Sequence, residues 1–560
     1  MKLLKKWLAD LIHVLDLITL SPSGGDLVPQ QPLLQPSTLQ PSVGIPHPGP
    51  IFQPPNPKGD FECNYTREVG WKECNTPQNR ECWLRGPNGE ELNISTNYEM
   101  IAPKGTLRQY ELNVTNMTLA PDGFINTQGK VFNNSYPGPW IQACWGDDIE
   151  IKVTNYLEKN GTTIHWHGIR QNGTLDMDGV NGVTQCPIAT NDSFTYKFKA
   201  TQYGTSWYHS HYSLQYADGL LGPMTIYGPS SANYDEAKKP LLMTDWSHRS
   251  AFEDFYVEMG GNKPSMTSAL MDGRGQRYHV IVEATRPLPV DNYWIRMRIA
   301  EGCSGFGQGN TPEEQMGILR YDDTNRDDPS TKAHEYGKTC ADEPYENLKP
   351  ILPWRIGKPS NEQEYNTFEM GKHPLWLNFS NPTILNLHTK PNETDWESKP
   401  DLAVISETNA DTAESWIYLM ITATKFPFSG ERRINRFVPA AHPIHLHGHD
   451  FAILKQSTTP YWSGLADMNF DNPPRRDVAL LPAGGYLIIA FKADNPGSWL
   501  LHCHIAWHAS SGLALQIMER ELDINKTITP ARMGETKRVC GEWKKWSAAN
   551  KAFEQDDSGI

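Results

Sequence analysis

The chain has 560 residues, 38% of them hydrophobic, and a formal net charge of −14 at pH 7. This length predicts a soluble protein of two to four domains. The acidic balance argues against nucleic acid as a partner, because the phosphates would repel it.

Residue usage favours an all-β protein. The 44 glycines and 43 prolines separate many short segments rich in Val, Ile, Tyr and Trp, and helix-like runs of Ala, Leu, Glu and Lys are scarce. Short strands divided by turn residues are typical of β-sandwiches. We therefore predict a series of β-sandwich domains.

The N-terminus has some features of a secretory leader. "MKLLKK" is a basic start, but the apolar stretch that follows it contains Asp10, His13 and Asp16. That stretch is too short and too charged to span a membrane. A leader, a misassigned start and a short amphipathic helix all stay open as interpretations. Residues 21–60 are rich in Pro and Gln and predict a disordered linker or pro-segment, so we assign 1–60 to a leader plus this segment.

Cysteines and glycosylation sequons favour the secretory route. Nine cysteines are present, an odd number, which indicates one free or metal-bound thiol. Eight remain if Cys503 is set aside: Cys63, Cys74, Cys82, Cys144, Cys186, Cys303, Cys340 and Cys540. Eleven Asn-x-Ser/Thr sequons accompany them, including those at Asn64, Asn93, Asn113, Asn172, Asn378 and Asn525. Paired thiols together with sequons predict an extracellular protein.

Eleven of the 18 histidines lie in four short patches. The patches read "TTIHWHGIRQNG", "GTSWYHSHYSLQ", "HPIHLHGHDF" and "LHCHIAWH". An isolated histidine is most often a packed or surface residue without chemistry. Four patches that each contain His-x-His instead indicate one shared site.

Strand geometry explains the His-x-His spacing. Residues i and i+2 of a strand project to the same face. Two histidines per strand therefore point together, and four strands supply eight imidazoles that can converge: His165, His167, His209, His211, His445, His447, His502 and His504.

A second set of ligands follows from the same parity. Cys503 faces away from its two histidine neighbours, His442 has the wrong parity for the cluster, and His508 lies past the expected strand end. Two histidines and a cysteine with a weak axial partner are typical of blue copper. Leu513 stands where an axial Met would, and Met518 is the less favoured candidate. Since leucine offers no lone pair, we predict a three-coordinate copper with a raised potential.

The motifs are similar to those of a known family. "HWHG", "GTSWYHSHYSLQYADGLLGPM", "HPIHLHGHDF", "GSWLLHCHIAWH", "DNYWIR" and the terminal "DSGI" resemble multicopper oxidases, and within them the ascomycete laccases. The resemblance runs from about Asn113 to Ile560. It implies three cupredoxin-like Greek-key β-sandwich domains, with a copper cluster between the first and the third.

The resemblance also implies four copper ions and their ligands. Type 1 copper takes His442, Cys503 and His508, and type 2 copper takes His165 and His445. The type 3 pair takes His167, His209 and His504 on one ion and His211, His447 and His502 on the other. Substrate electrons enter near His508 and pass from Cys503 to His502 and His504, and O2 is reduced to water.

Three further residues receive expected roles. Asp178, in the "MDGVNG" turn, resembles the acid beside type 2 copper that helps to deliver protons; an ordinary Asp-Gly turn is the alternative. His449 shares the parity of His445 and His447, but we expect it to support the ligands. Trp507 either lines the substrate opening or packs in the core.

Three disulfides and a terminal plug are also implied by the resemblance. It pairs Cys186 with Cys540, Cys303 with Cys340 and Cys74 with Cys82. Cys63 and Cys144 are left, and we suggest that they join the N-terminal extension to the first domain. In related laccases a tail such as "DSGI" enters the channel to the type 3 coppers; a frayed acidic terminus is the alternative.

The middle domain is interrupted at Gly275/Gln276. Up to Gly275 the chain resembles the start of the second cupredoxin domain, and from Gln276 it resembles that domain's late strands. Either the sequence lacks an exon's worth of the gene, or the chain is a shortened and impaired variant. We assign 61–105 to an extension, 106–235 to domain 1, 236–375 to the truncated domain 2, 376–545 to domain 3 and 546–560 to the tail.

The predicted function is that of a secreted, monomeric laccase that oxidises phenols or aryl amines with O2. Lignin-derived phenols, a pigment precursor and a defence compound all stay open as its substrate. We expect no nucleic acid partner and no stable membrane insertion. The alternatives are a metallo-oxidase of Fe(II) and a copper-binding variant without turnover.

Overall fold

The computed structural model describes residues 61–259, 268–270, 276–283, 292–298, 300, 303, 314–320, 325–332, 334, 337, 339–357, 374–389, 402–405, 416–423, 440–459, 465–550 and 555–560. The predicted leader and Pro/Gln-rich segment, residues 1–60, lie outside the described residues.

The strands in chain order are β1 (Lys72–Glu73), β2 (Cys82–Arg85), β3 (Glu91–Asn93), β4 (Leu107–Leu119), β5 (Asn126–Phe132), β6 (Ile141–Cys144), β7 (Asp148–Asn155), β8 (Ile164–His167), β9 (Ser193–Lys199), β10 (Gly204–Ser210), β11 (Leu221–Tyr227), β12 (Thr244–Trp246), β13 (Ser268–Leu270), β14 (Tyr293–Arg298), β15 (Glu314–Leu319), β16 (Leu402–Ile405), β17 (Trp416–Thr422), β18 (His442–Leu446), β19 (Phe451–Ser457), β20 (Arg475–Arg476), β21 (Val478–Leu481), β22 (Tyr486–Lys492), β23 (Gly497–Cys503) and β24 (Ala514–Glu519). The α-helices are α1 (Ala251–Met259), α2 (Thr383–Thr389), α3 (Ala506–Ser510), α4 (Glu521–Thr527) and α5 (Pro530–Ala549).

The first sandwich consists of two four-stranded sheets, β5-β4-β7-β9 and β6-β11-β10-β8. Alternation within the strands creates its core. In β7, Ile149, Ile151 and Val153 are buried and their neighbours are more exposed. Antiparallel pairing sets Ile149 opposite Phe198 and Val153 opposite Phe194 on β9, so the apolar faces of both strands coincide. All eight strands lie within the predicted limits of domain 1.

The second sandwich consists of a five-stranded sheet, β16-β24-β23-β18-β21, and a four-stranded sheet, β17-β22-β19-β20. Strand β22 is buried along most of its length, which fits its run of Leu, Ile, Ala and Phe. One core cluster joins Leu487, Ile489 and Phe491 of β22 to Ile444 and Cys503 of the facing sheet. This packing fixes β18 and β23, the two strands that carry the third and fourth histidine patches.

The region between the sandwiches is poorer in strands. Within 236–375 the described residues form β12 to β15, paired only as two two-stranded sheets. Beyond the break, Tyr278, Val280, Ile281 and Val282 are 50–78% exposed. Side chains of this kind normally face a core, so their exposure agrees with a middle domain that lacks several strands. The predicted all-β class with an incomplete middle domain is confirmed.

The N-terminal extension packs on the first sandwich. Strands β1 to β3 form a small sheet, and Trp83 and Leu84 share a core cluster with Trp145 of the sandwich. The disulfides are Cys63–Cys144, Cys74–Cys82, Cys186–Cys540 and Cys303–Cys340, the same pairs that the sequence analysis gives. In the described residues Cys503 is the free cysteine, and it is buried.

Helix α5 is the main element that the all-β expectation does not include. Thr529 accepts a hydrogen bond from the Arg532 backbone N–H, and Pro530 occupies the first turn. These are standard helix-start signals and could have revealed it. The expected limit of domain 3 at residue 545 falls inside this helix. None of the described helices is both long and apolar enough to cross a membrane.

The disulfide that holds α5 should contribute more stability than the short loop of the extension. Cys186 and Cys540 are 354 residues apart, whereas Cys74 and Cys82 are 8 apart. Because loop-closure entropy grows with loop length, C186A/C540A should lower the free energy of unfolding by about 5 kcal/mol and C74A/C82A by about 2–3 kcal/mol. Thermal unfolding of both variants measures this, and equal midpoints would contradict it.

Candidate metal centre

Strand pairing brings the histidine patches together. In the first sandwich, His165 on β8 lies opposite His209 on β10. In the second, His445 on β18 lies opposite His502 on β23. Residues directly opposite in an antiparallel pair project to one face. The second histidine of each patch, two residues on, returns to that face: His167, His211, His447 and His504.

The two sandwiches contribute to one buried cluster. Its donor groups, each with atoms within 4.8 Å of one another, are His165 with His445 and His447, His165 with His167 and His209, His211 with His447 and His502, and His167 with His445 and Asp477. The eighth histidine, His504, has its ring centre 5.0 Å from that of His167 and 5.4 Å from that of His209. All eight predicted imidazoles therefore lie at one place.

Backbone and carboxylate acceptors fix which ring nitrogen carries the proton. The Nδ1 of His165 donates to the Asp178 carbonyl at 2.9 Å, and that of His445 to the Asp477 carbonyl at 2.8 Å. The Nδ1 of His502 donates to the Cys503 carbonyl at 3.0 Å. A carbonyl can only accept, so Nε2 of each ring is the bare acceptor nitrogen.

The Nε2 of His447 is bare as well, because its Nδ1 donates to the Asp178 carboxylate at 2.9 Å. Two pairs of these bare nitrogens face each other. His447 Nε2 lies 3.2 Å from His502 Nε2, and His445 Nε2 lies 3.5 Å from His165 Nε2. A hydrogen bond between two acceptor lone pairs is impossible, so each contact is repulsive in the absence of a cation. The arrangement therefore fits a bound metal ion.

Protonation is a poor substitute for a metal here. Burial lowers the pKa well below its ordinary value in His167, His209, His445, His447 and His502, and neighbouring imidazoles lower it further. Burial likewise lowers the pKa of His211 to about 3. These rings are neutral at pH 7, and neutral imidazole is the form that binds metals.

Asp178 is placed inside the cluster. Its side chain is fully buried, Oδ2 accepts from His447 Nδ1 at 2.9 Å, and Oδ1 lies 3.2 Å from His165 Nδ1. One carboxylate thus contacts histidines of both sandwiches. An ordinary Asp-Gly turn residue would not contact histidines of two sandwiches in this way.

The second predicted set forms its own group. Cys503 Sγ lies 3.5 Å from His442 Nδ1 and 3.6 Å from His508 Nδ1, and the two nitrogens are 3.1 Å apart. Burial lowers the pKa of His442 to about 3 and of His508 to about 4, and raises the pKa of Cys503 to about 12. Two imidazoles and one sulfur are the donors of a blue copper site, where the metal displaces the thiol proton.

The axial candidates lie in different places. Leu513 accepts from the Cys503 backbone N–H and donates to the His508 carbonyl, both at 3.0 Å. Its side chain packs on the core cluster that contains Cys503. Met518 instead packs with Trp499 and Ile524 in another cluster. Leu513 therefore packs beside the Cys503 group and Met518 does not, while the axial position of Leu513 stays a prediction.

The supporting residues include some that the sequence analysis missed. His449 is buried, donates from Nδ1 to the His447 carbonyl at 3.0 Å, and contacts Glu519 through Nε2 at 3.2 Å. Burial lowers the pKa of His449, but the Glu519 carboxylate outweighs this and the pKa is raised overall. Glu519 and Asp477 carry no local signal, since the partners of their carboxylates are 24 or more residues away.

Trp507 packs in a small core cluster with Leu214, Ala251 and Phe255. It is 9% exposed. The structure therefore shows the core packing that was one of its two interpretations, while a role at the substrate opening stays a prediction.

Comparisons with known proteins agree with this geometry. The multicopper oxidase family model matches residues 113–231, and a second multicopper oxidase model matches 376–523. A laccase of Arthroderma benhamiae is 38% identical, covering 91% of this chain and 95% of its own. That alignment spans 624 residues, more than the 560 of this chain, so the relative has residues where this chain has none.

Other relatives have different names. Laccase-2 of Botryotinia fuckeliana is 38% identical over 87% of this chain and 93% of its own. Dihydrogeodin oxidase of Aspergillus terreus is 34% identical over 87% of this chain and 95% of its own.

Solved structures show the same fold. The laccase from Botrytis aclada has a TM-score of 0.73 at 35% identity, covering 87% of this chain and all of its own. Fet3p, a multicopper oxidase that functions in iron import, has a TM-score of 0.57 at 19% identity, which concerns the fold alone. With relatives this similar over nearly the whole chain, and with both donor sets assembled, the protein belongs to the multicopper oxidase family.

Proposed function

We propose that the protein is a laccase that couples one-electron oxidation of phenols or aryl amines to the reduction of O2 to water. The observation that carries the proposal is the arrangement of β23. Cys503 lies in one donor group, and its two sequence neighbours, His502 and His504, lie in the other. One peptide bond separates Cys503 from each histidine, so the two centres are covalently joined.

The proposed ligand sets follow the motifs. Type 1 copper takes His442, Cys503 and His508; type 2 copper takes His165 and His445; the type 3 pair takes His167, His209 and His504 on one ion and His211, His447 and His502 on the other. The four copper ions of the family each change by one electron, and together they supply the four electrons that O2 reduction requires. The donor atoms fit this role, because imidazole nitrogen and thiolate sulfur are good copper ligands.

His508 is the natural point of contact with an organic substrate. It is partly exposed, whereas Cys503 and His442 are buried. A phenol ring set against the His508 edge thus lies next to the type 1 group without entering the core. A metallo-oxidase would need carboxylates near His508 to hold Fe(II). Among the described residues, the donor group that contains His508 consists of His442, Cys503 and His508 and includes no carboxylate.

Asp178 is proposed to move protons at the cluster. It contacts His165 and His447 from a fully buried position, and Oδ1 has no hydrogen-bond partner among the described residues. A carboxylate with one oxygen fixed and the other free can take up and release a proton without moving. Its surroundings hold it in place for that task.

The tail is proposed to cover the cluster. The described end, 555–560, docks by hydrogen bonds: Asn181 donates to the Gly559 carbonyl at 2.7 Å, and Ser510 to the Ile560 carbonyl at 3.0 Å. Ser213 donates to the Asp557 carboxylate. These three partners closely follow Asp178, His211 and His508 in the chain. The tail therefore contacts three of the chain segments that surround the two centres.

We also propose that the protein is secreted, glycosylated and monomeric. Four disulfides are typical of oxidising compartments. Of the six sequon asparagines named above, five are exposed and open to modification: Asn64, Asn113, Asn172, Asn378 and Asn525. The domain limits given above stay part of this proposal.

Copper-loaded protein should consume one O2 for every four phenol molecules oxidised, and it should show the blue absorption of a copper–thiolate. C503S should lose both properties while it keeps copper at the histidine cluster, because only the type 1 group loses its sulfur. Oxygen uptake and absorption spectra measure this. Four bound coppers with no uptake would instead support the impaired variant.

D178N should lower the turnover rate about 100-fold. Asparagine can still accept from His447 but cannot exchange protons, so copper content should stay at the parental level. D176N is the matched control, because Asp176 is also buried but pairs with Arg532, away from the histidines. Equal losses in the two variants would show that the rate depends on general packing rather than on Asp178.

Tail docking should weaken as the pH rises. Burial raises the pKa of Asp557 from 3.8 to about 7, and nearby Asp556 raises it further, while Ser213 opposes the shift. The docked tail thus binds the proton more tightly than the free tail, so its stability is complete below about pH 4 and is lost as the pH rises through 7. Carboxypeptidase should trim the tail faster at pH 8 than at pH 5. D557N should remove that difference, and an unchanged pH profile would contradict the assignment.

A further inference from the structure

A second carboxylate faces the histidine cluster, and an arginine holds it. Asp477 Oδ1 accepts from Arg277 Nη1 at 2.7 Å. Its Oδ2 lies 3.4 Å from His167 Nε2 and has no hydrogen-bond partner among the described residues. The Asp477 side chain is 10% exposed. One oxygen is therefore tied to the arginine, and the other points into the cluster.

Asp477 contacts the cluster through its backbone as well. Its carbonyl accepts from His445 Nδ1 at 2.8 Å and from the Leu446 backbone N–H at 3.1 Å. The same residue thus sets the tautomer of one histidine and presents a carboxylate to another. Donor atoms of His167, His445 and Asp477 all lie within 4.8 Å of one another.

Arg277 is held in place from several sides. Its carbonyl accepts from Arg476 at 3.2 Å. The preceding Gln276 donates to Asp342 at 2.6 Å, and His279 accepts from the Thr205 backbone N–H at 3.2 Å. The short segment after the break therefore contacts both sandwiches.

Gly168 makes the approach of the guanidinium possible. A Cβ atom on this residue would lie 2.5 Å from Arg277 Nη2 and 3.2 Å from Asp477 Oδ2. A side chain on residue 168 would therefore displace the guanidinium from this position. Its φ of +83° also favours glycine.

We propose that Arg277 is a positioning residue for the copper cluster, acting through Asp477; the proposal rests on the ligand sets proposed above. The guanidinium donates a hydrogen bond to Oδ1, so Asp477 presents only Oδ2 to the cluster and cannot bind a metal through both oxygens. It also supplies a positive charge against one of the two carboxylates, Asp178 and Asp477, that face the site. The remnant of the middle domain thereby contributes to the cluster itself.

The test compares R277Q, R277K and D477N in the full-length, copper-loaded protein. R277Q and D477N should release copper to a chelator about tenfold faster than the parent. Both should change the type 2 copper hyperfine splitting in electron paramagnetic resonance spectra, and R277K should restore most of it. R277Q/D477N should be no worse than D477N alone, since the arginine acts through the carboxylate.

R476Q is the matched control. Arg476 donates to the Arg277 carbonyl and lies over the Tyr278 ring, so this variant disturbs the same segment without removing the guanidinium. It should keep the parental spectrum. If R476Q and R277Q change the spectrum alike, or if R277Q matches the parent, the proposal is wrong.

Two further outcomes keep the test decisive if R277Q folds poorly, as judged by the unfolding midpoint of its apo form. A parental spectrum in D477N overturns the proposal, and a changed spectrum in D477N with near-parental R277K supports it. Copper release and the spectra do not require phenol turnover. Failure of the laccase assignment would therefore leave these readouts interpretable.

Discussion

Neutral imidazoles that face each other in a buried pocket are the constraint on which the rest of the structure depends. The Nε2 atoms of His447 and His502 are 3.2 Å apart, and their protons are committed to acceptors on the other side of each ring. Burial also lowers the pKa of both rings, so protonation cannot relieve the contact. Only a cation can do so. The strand pairing and packed cores of the two sandwiches hold these rings together.

Strand β23 joins the two centres because a strand alternates its faces. Ile444 pairs with Cys503, and His445 pairs with His502, so neighbouring rungs of one ladder serve different centres. Cys503 packs in the core of its own sandwich, whereas His502 reaches the cluster shared with the other sandwich. A helix could not separate adjacent residues this cleanly, since residues one apart are only about 100° apart around its axis. The short route between the two centres therefore requires a β-strand at this position.

The alternation of side chains along a strand explains how much of the site could be predicted from the sequence. The His-x-His pairs and the separate set around Cys503 follow from strand parity, which acts over two residues. The contacts that support the ligands do not follow from strand parity. Arg277 and Asp477 are 200 residues apart, and His449 and Glu519 are 70 apart. No periodic pattern records such contacts. Helix α5 could have been predicted as well, because Thr529 and Pro530 mark its start and its buried residues Met533, Val539, Cys540 and Trp543 recur at helical spacing.

The incomplete middle domain affects the protein unevenly, and the contacts explain why. All the proposed ligands come from the two complete sandwiches, which are also joined by the Cys186–Cys540 disulfide and by Asn495, whose amide donates to the Arg170 and Gly448 carbonyls. Loss of middle strands leaves these links in place. The loss of these strands instead leaves apolar residues such as Val280 and Val282 exposed to solvent. Arg277, the second residue after the break, still binds Asp477 beside the cluster, so this contact fixes the start of the remnant.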